Sequence, residues 1–396
     1  RPLASWGKAR GGDNILAVYW LYEKTSDPGL LDLCRTLYAQ TDNWAAAYDT
    51  DAWGGTYHIV NMHESFKLFP LMYAVTGDAA YLDVYYKGIE NLYMASGRAD
   101  GMSNGDEVNR GISAVFGTET CAVVERMLSD EIALLLLKDA TLADNLELLA
   151  YNALPQQLLP DGNGQVYFTM QNQIAATLGN HGFTSDGGDR SVYGPPGGYP
   201  CCIHNYMMGW PLFASSMWMR TSDGGLAAGA YGPSRVTLTV GNGTHLTLTE
   251  STDYPFKDTV TLTLEADKPD TYPLYLRVPA WCAPEDVTVT VNGQAVSAEW
   301  QSGEYFTLTA EWASGDEIVL TFKSRIRVEM NENNSVSVKK GAVLFALAPE
   351  EKWETINYNP NNWNLRVGKQ YTSYSITAAS DWNLALARLS LPDPAA

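Results

Sequence analysis

The sequence has 396 residues, 45% apolar and 18% charged, which is enough for two or three domains with a sizeable core and argues against a disordered chain. Its 26 Lys and Arg against 45 Asp and Glu give a net charge of −19 with no basic run, which makes nucleic acid and anionic membrane surfaces poor partners. No apolar run reaches membrane-spanning length.

In chain order, Asn14 to Lys24 and Asp27 to Gln40 carry apolar residues at three- and four-residue spacing, and Asp27-Pro28-Gly29 opens the second helix. Tyr57 to Val75 and Ala79 to Met94 read as a second pair, split by Thr76-Gly77-Asp78. Gly101 to Gly111 is a polar loop that interrupts the helical pattern. Thr118 to Lys138 and Leu142 to Ala153 form a third pair. After a loop rich in Gly, Asp and Asn, His204 to Arg220 is a further amphipathic helix. Paired helices repeating over residues 1–224 predict an α/α barrel or toroid. The seven helices are fewer than a closed double ring needs, so the barrel is partial or entered midway.

Near Gly224 the period changes to two. Val236 to Val240, Leu246 to Thr249, Val260 to Leu264 and Val287 to Val291 alternate apolar residues with Thr, and Asn292-Gly293 is a hairpin turn. Tyr305 to Leu308, Ile318 to Phe322 and Val343 to Leu347 continue the series. The fold class predicted is α + β multidomain: helices over 1–224, a β-sandwich over 225–325, and further β structure over 326–396.

Three of the five cysteines fall in Glu119-Thr120-Cys121 and Tyr199-Pro200-Cys201-Cys202. Three thiols and a carboxylate make a four-ligand set that zinc accepts. Adjacent cysteines rarely bond to each other, so the pair takes a metal, outside partners or stays free. Plain core thiols are the other reading of these three, and the better one for Cys34 and Cys282. The acidic pair Asp106-Glu107 sits in the polar loop and is a candidate for acid and base work, or a solvated turn. His58 and His63 are five apart on one helical stretch and do not form a joint clamp. His204 is a candidate support for the metal site or has no role. The 12 Trp and 23 Tyr suit sugar stacking and core packing equally.

Gly11-Gly12-Asp13-Asn14, His58-Ile59-Val60-Asn61, Gly105-Asp106-Glu107, Glu119-Thr120-Cys121, Ala150-Tyr151-Asn152-Ala153-Leu154-Pro155 and Gly198-Tyr199-Pro200-Cys201-Cys202 follow in that order. Together, from residue 10 to residue 350, they resemble glycoside hydrolase family 127, the β-L-arabinofuranosidase-like proteins. The resemblance implies an α/α barrel followed by β-sandwich domains. It also implies zinc held by Glu119, Cys121, Cys201 and Cys202, with Cys201 as nucleophile and Glu107, rather than Asp106, as acid/base. His58 and Glu119 are the substrate contacts it implies. The implied reaction releases a terminal pentofuranose, β-L-arabinofuranose foremost, from a plant-type oligosaccharide or glycoconjugate with retention. The spacing from Glu107 to Glu119 is a few residues shorter than in the best-known branch. Family members also carry more chain before the first motif, so the resemblance implies a barrel lacking its first part.

Two other readings stand beside it. One is a carbohydrate-binding or structural protein with a closed zinc staple; the other is a hydrolase using zinc-bound hydroxide, against which a full set of four protein ligands counts. The sequence opens at Arg1 without a basic-then-apolar leader, which reads as a processed, trimmed or partial chain. An odd number of cysteines is not a disulfide framework, which fits a bacterial cytoplasm or secretion alike. A homo-oligomer is compatible with all of this.

Overall fold

The structure is a computed structural model that describes residues 2–49, 57–185, 188–194, 201–356 and 372–386. Gly198, Tyr199 and Pro200 of the cysteine motif lie outside the described residues. The structure is a mixed α and β fold with its α-helices before Gly224 and most of its strands after it. Among the described residues no helix is long and apolar enough to cross a membrane.

The helical part centres on Thr120–Leu137, which is buried along most of its length. It packs against Cys201–Ser216, Ile59–Ser65, Leu68–Thr76 and Ala140–Leu148. Buried Arg126 holds buried Asp130 at 2.9 Å and lies over the Phe66 ring at 4.8 Å, whereas burial pushes the Glu131 carboxyl of the same helix up to about 8. The predicted helix Tyr57 to Val75 is in fact two, Ile59–Ser65 and Leu68–Thr76. Pro70 explains the break, since it cannot donate to the carbonyl four residues back and its ring clashes there. The predicted His204 to Arg220 helix runs instead from Cys201 to Ser216. Trp218–Arg220 leaves it to pair antiparallel with Leu226–Ala228.

Beyond Gly224 the alternating segments form strands. One sheet of six has the order Gln294–Ala295, Val287–Val291, Glu317–Phe322, Thr259–Ala266, Thr244–Thr252, Ser234–Val240. A second sheet of four has the order Tyr305–Trp312, Asp270–Arg277, Leu226–Ala228, Trp218–Arg220. Leu246, Leu248, Val260, Leu262, Leu264, Ile318 and Leu320 point inward from the first sheet, and Tyr272, Leu274 and Leu276 from the second, into one continuous core. Each such residue contributes roughly 1.5–3 kcal/mol by leaving water. The alternate threonines face out, and Thr237 and Thr247 bond across strands at 2.9 Å. Asp270–Arg277 escapes the sequence reading because it contains Pro273, which argues against a central strand. Its pairing with Leu226–Ala228 begins one residue past that proline, at Leu274.

Three further strands, Ile326–Met330, Val336–Lys340 and Val343–Phe345, form an antiparallel sheet. Glu351–Ile356 pairs with Ser373–Ala378, which pairs in turn with Ala175–Ala176 of the first part. Two polar clamps join helical and β parts. Fully buried Arg277 bonds Asp144 and Glu147, and Glu147 also accepts from the Tyr231 amide at 2.9 Å. Asn152, in the π-turn Leu149–Ala153, donates to the Ala342 carbonyl and accepts from the Leu344 amide, both at 2.8 Å.

Candidate active site

The region before Gly224 is not helical throughout. A four-stranded sheet interrupts it, in the order Val108–Asn109, Gly105–Asp106, Gly117–Glu119, Phe168–Met170. What reads as a polar loop is a tight reversal in which Asp106 pairs with Val108 around Glu107. Glu107 has φ +82°, a left-handed conformation that costs a non-glycine residue about 1–3 kcal/mol. The Ile59 amide, which donates to the Glu107 carbonyl at 2.9 Å, helps hold it there. Gly105 must be glycine, because a Cβ would lie 2.3 Å from Ile59 Cγ1.

The strand Gly117–Glu119 pairs Thr118 with Gly105 and Glu119 with Phe168, then enters the Thr120–Leu137 helix with Glu119 at its N-cap. Glu119 and Cys121 therefore leave the first turn of that helix, opposite Cys201 and Cys202 in the first turn of another. Helix N-termini favour anionic groups such as thiolates. The Thr120 amide donates to the Tyr167 carbonyl, and the Phe168 amide to the Arg190 carbonyl, both at 3.0 Å. One small sheet thus delivers Glu107, Glu119, Tyr167 and Arg190. His58 caps the Ile59–Ser65 helix, its Nδ1 accepting from the Asn61 amide at 3.4 Å, which leaves Nε2 facing the site.

The ligand atoms of Glu119, Cys121, Cys201 and Cys202 all lie within 4.8 Å of one another. Cys121 Sγ is 3.3 Å from Cys202 Sγ, Cys201 Sγ is 3.9 Å from Cys202 Sγ, and Cys202 Sγ is 3.9 Å from Glu119 Oε1. Tetrahedral zinc with Zn–S of about 2.3 Å places its sulfurs about 3.8 Å apart, so the spacing fits. Among the described residues no cysteine is in a disulfide, and Cys34 and Cys282 are buried away from the cluster. Burial and the charges of Glu107 and Cys201 push the Glu119 carboxyl well up. Hydrogen bonding to the other two thiols, with burial, pushes Cys121 well up, and burial does the same to Cys202. Cys201, accepting from those two thiols, is brought down to about 3 against its own burial. Glu119, Cys121 and Cys202 thus keep their protons beside the Cys201 thiolate, because burial and like charge disfavour further ionisation. A divalent cation removes that repulsion, and this donor set can bind one.

Beside the cluster, the Tyr167 hydroxyl donates to Glu107 Oε1 at 2.8 Å and lies 4.0 Å from Cys201 Sγ. These two contacts keep the Glu107 oxygen and the Cys201 sulfur no more than roughly 7 Å apart, which admits the about 5–5.5 Å of retaining carboxyl pairs. Arg190 Nη1 bonds the same oxygen at 3.1 Å and its guanidinium stacks on the Tyr167 ring at 4.1 Å. His58 Nε2 lies 3.5 Å from Glu107 Oε2 and 4.0 Å from Glu119 Oε2. Burial raises the Glu107 carboxyl, but the bonds from His58 and Tyr167 and the Arg190 charge outweigh it and hold the group below the usual range.

Other sequence candidates fall away from this centre. Asp106 is fully buried beneath the turn, bonded to Arg110 at 3.2 Å and to Thr184. His63 is buried against Ser103 at 2.9 Å, and His204 is exposed. Tyr167 and Arg190 were not visible as site residues. The apolar run Val166-Tyr167-Phe168 was a usable strand signal for the first; Arg190, in a loop of Ser, Asp and Gly, offered none.

Residues 4–215 match the catalytic domain of β-L-arabinofuranosidase, GH127, which is more than half of the chain. The chain belongs to this family. Residues 225–324 match the GH127 middle domain. With the family's catalytic domain, the protein is a glycoside hydrolase and its substrate is a carbohydrate. Three solved structures share the fold. A glycoside hydrolase aligns with a TM-score of 0.69 at 17% identity, over 93% of this chain and 72% of its own. A GH127 β-L-arabinofuranosidase from Geobacillus stearothermophilus T6 aligns at 0.64 and 17%, over 92% and 68%. A GH127 β-arabinofuranosidase aligns at 0.67 and 18%, over 92% and 65%. No curated protein matches the sequence.

Proposed function

We propose that this GH127 protein is a retaining glycosidase that releases a terminal pentofuranose, β-L-arabinofuranose foremost, with Cys201 as nucleophile and Glu107 as acid/base. The observation that carries the reading is the Tyr167 hydroxyl, which lies between the Glu107 carboxylate and the Cys201 sulfur at 2.8 and 4.0 Å. Glu119, Cys121, Cys201 and Cys202 would hold zinc, and when bound it would keep these thiols ionised near neutral pH. Among the three thiols only Cys201 is half-buried rather than buried, so it is the sulfur a sugar can reach.

Cys201 Sγ attacks the anomeric carbon while Glu107 gives its proton to the departing oxygen; the C–O bond breaks as an S–C bond forms. Glu107, now a carboxylate, takes a proton from water, whose oxygen displaces the sulfur and leaves the configuration retained. The low proton affinity of Glu107 in the free site suits the second step. For the first step, a bound sugar that excludes water must raise it. His58 and the Glu119 carboxylate face the same space and would bind the sugar hydroxyls. The units supporting the site would be a partial α/α barrel over 1–224, a β-sandwich over 225–325 and further β structure over 326–396. A plant-type oligosaccharide or glycoconjugate is the natural source of such a sugar.

Incubation with aryl pentofuranosides, comparing the protein with its Cys201→Ala variant, tests the proposal. Release from the first and none from the second is expected. No release from a zinc-loaded, folded protein on any pentofuranoside would favour the competing closed zinc staple, which four protein ligands also permit.

A further inference from the structure

The Glu119 carboxylate faces two ways. Oε1 lies 3.9 Å from the Cys202 thiol, whereas Oε2 is buried, has no hydrogen-bond partner and lies 4.0 Å from His58 Nε2. Glu107 Oε2 completes a second trio: one ligand atom each from His58, Glu107 and Glu119 lies within 4.8 Å of the others. The other Glu107 oxygen is already taken by Tyr167 and Arg190, so Oε2 is the one left for this side. A cation with bonds of about 2.0–2.2 Å to nitrogen and oxygen spaces its ligands about 3–3.5 Å apart, so the observed 3.5 and 4.0 Å need only a small inward shift.

We propose that His58, Glu107 and Glu119 form a second, inhibitory site for a divalent cation, with Glu119 as a carboxylate bridge to the thiolate site. One imidazole and two carboxylates suit zinc or cobalt(II), and three ligands with His58 and Glu107 partly exposed leave positions for water. An ion there takes the carboxylate that must carry the catalytic proton and fills the space facing the sugar. The site is weaker than the thiolate cluster for two reasons. Arg190 places a positive charge 3.1 Å from the Glu107 carboxylate, and a metal on His58 Nε2 moves the ring proton to Nδ1, giving up the 3.4 Å contact from the Asn61 amide. The loss of activity rests on the proposed role of Glu107; the binding does not.

Cobalt(II) is added to the purified, zinc-carrying protein, with metal counted by equilibrium dialysis and elemental analysis. One cobalt per chain is expected without loss of zinc and without thiolate-to-cobalt charge transfer, together with a fall in activity. His58→Gln and, separately, Glu107→Gln should bind no cobalt while keeping their zinc; either one suffices if the other does not fold. No cobalt bound by the wild-type protein, or one bound equally by the folded variants, overturns the inference. Absence of zinc from the starting protein would instead count against the thiolate site, so the two failures are distinguishable.

Discussion

Arg190→Met tests the electrostatics of the site most directly. The guanidinium lies 3.1 Å from Glu107 Oε1, a separation at which unit charges interact by ~1 kcal/mol in bulk water and ~5 kcal/mol at an effective dielectric of about 20. Both side chains are about one-fifth exposed, 19% and 23%, so screening places the interaction in the lower half of that range, ~1.5–2.5 kcal/mol. Loss of the cation should therefore raise the Glu107 pKa. The sign follows from the first step, which needs the proton on Glu107. Catalysis is lost as pH rises through its pKa, so the variant's basic limb moves to higher pH. The other groups facing Glu107 are His58, Tyr167 and Glu119, and all three are unchanged in the variant. The assay is kcat/KM against pH with an alkyl pentofuranoside, whose poor leaving group requires the proton. Arg190→Lys keeps the charge and should stay near the wild-type profile. A basic limb that does not move in a folded, zinc-loaded Arg190→Met variant would refute the assignment of Glu107 as the acid.

Glu107→Gln should slow substrates with poor leaving groups by at least about 10²-fold, and activated aryl glycosides far less in the first step, as burst kinetics would reveal. Cys201→Ser should abolish turnover even where some zinc remains, because a serine hydroxyl stays protonated; single-turnover assays and metal analysis read the two effects separately. Added zinc should raise the Tm of the wild-type protein, and Cys121→Ala should lower zinc content and reduce that rise, since a ligand bound only to the folded state stabilises it by mass action. Arg277→Met should destabilise the protein by about 3–5 kcal/mol in urea titration, because it strands the buried Glu147 carboxylate between the helical and β parts.

Much of this protein is legible in its sequence because short-range chemistry dictates it. The Thr-apolar alternation of Val260 to Leu264 and Val287 to Val291 has one way to bury its apolar side, and both segments are strands with that face inside. Thr120–Leu137 and Cys201–Ser216 are helices that present Glu119-Thr120-Cys121 and Cys201-Cys202 at their starts, so the ligand candidates could be named from spacing and residue type alone. Tertiary structure decided what spacing could not. Residues some eighty positions apart put Cys121 and Cys202 sulfurs 3.3 Å from each other, a long-range contact with no local signal. The choice between Asp106 and Glu107 depends on a one-residue reversal that turns one carboxyl into the core and the other toward Cys201. Tyr167 and Arg190 joined the site only through pairing of Phe168–Met170 with Gly117–Glu119, because strand pairing sets which distant side chains become neighbours.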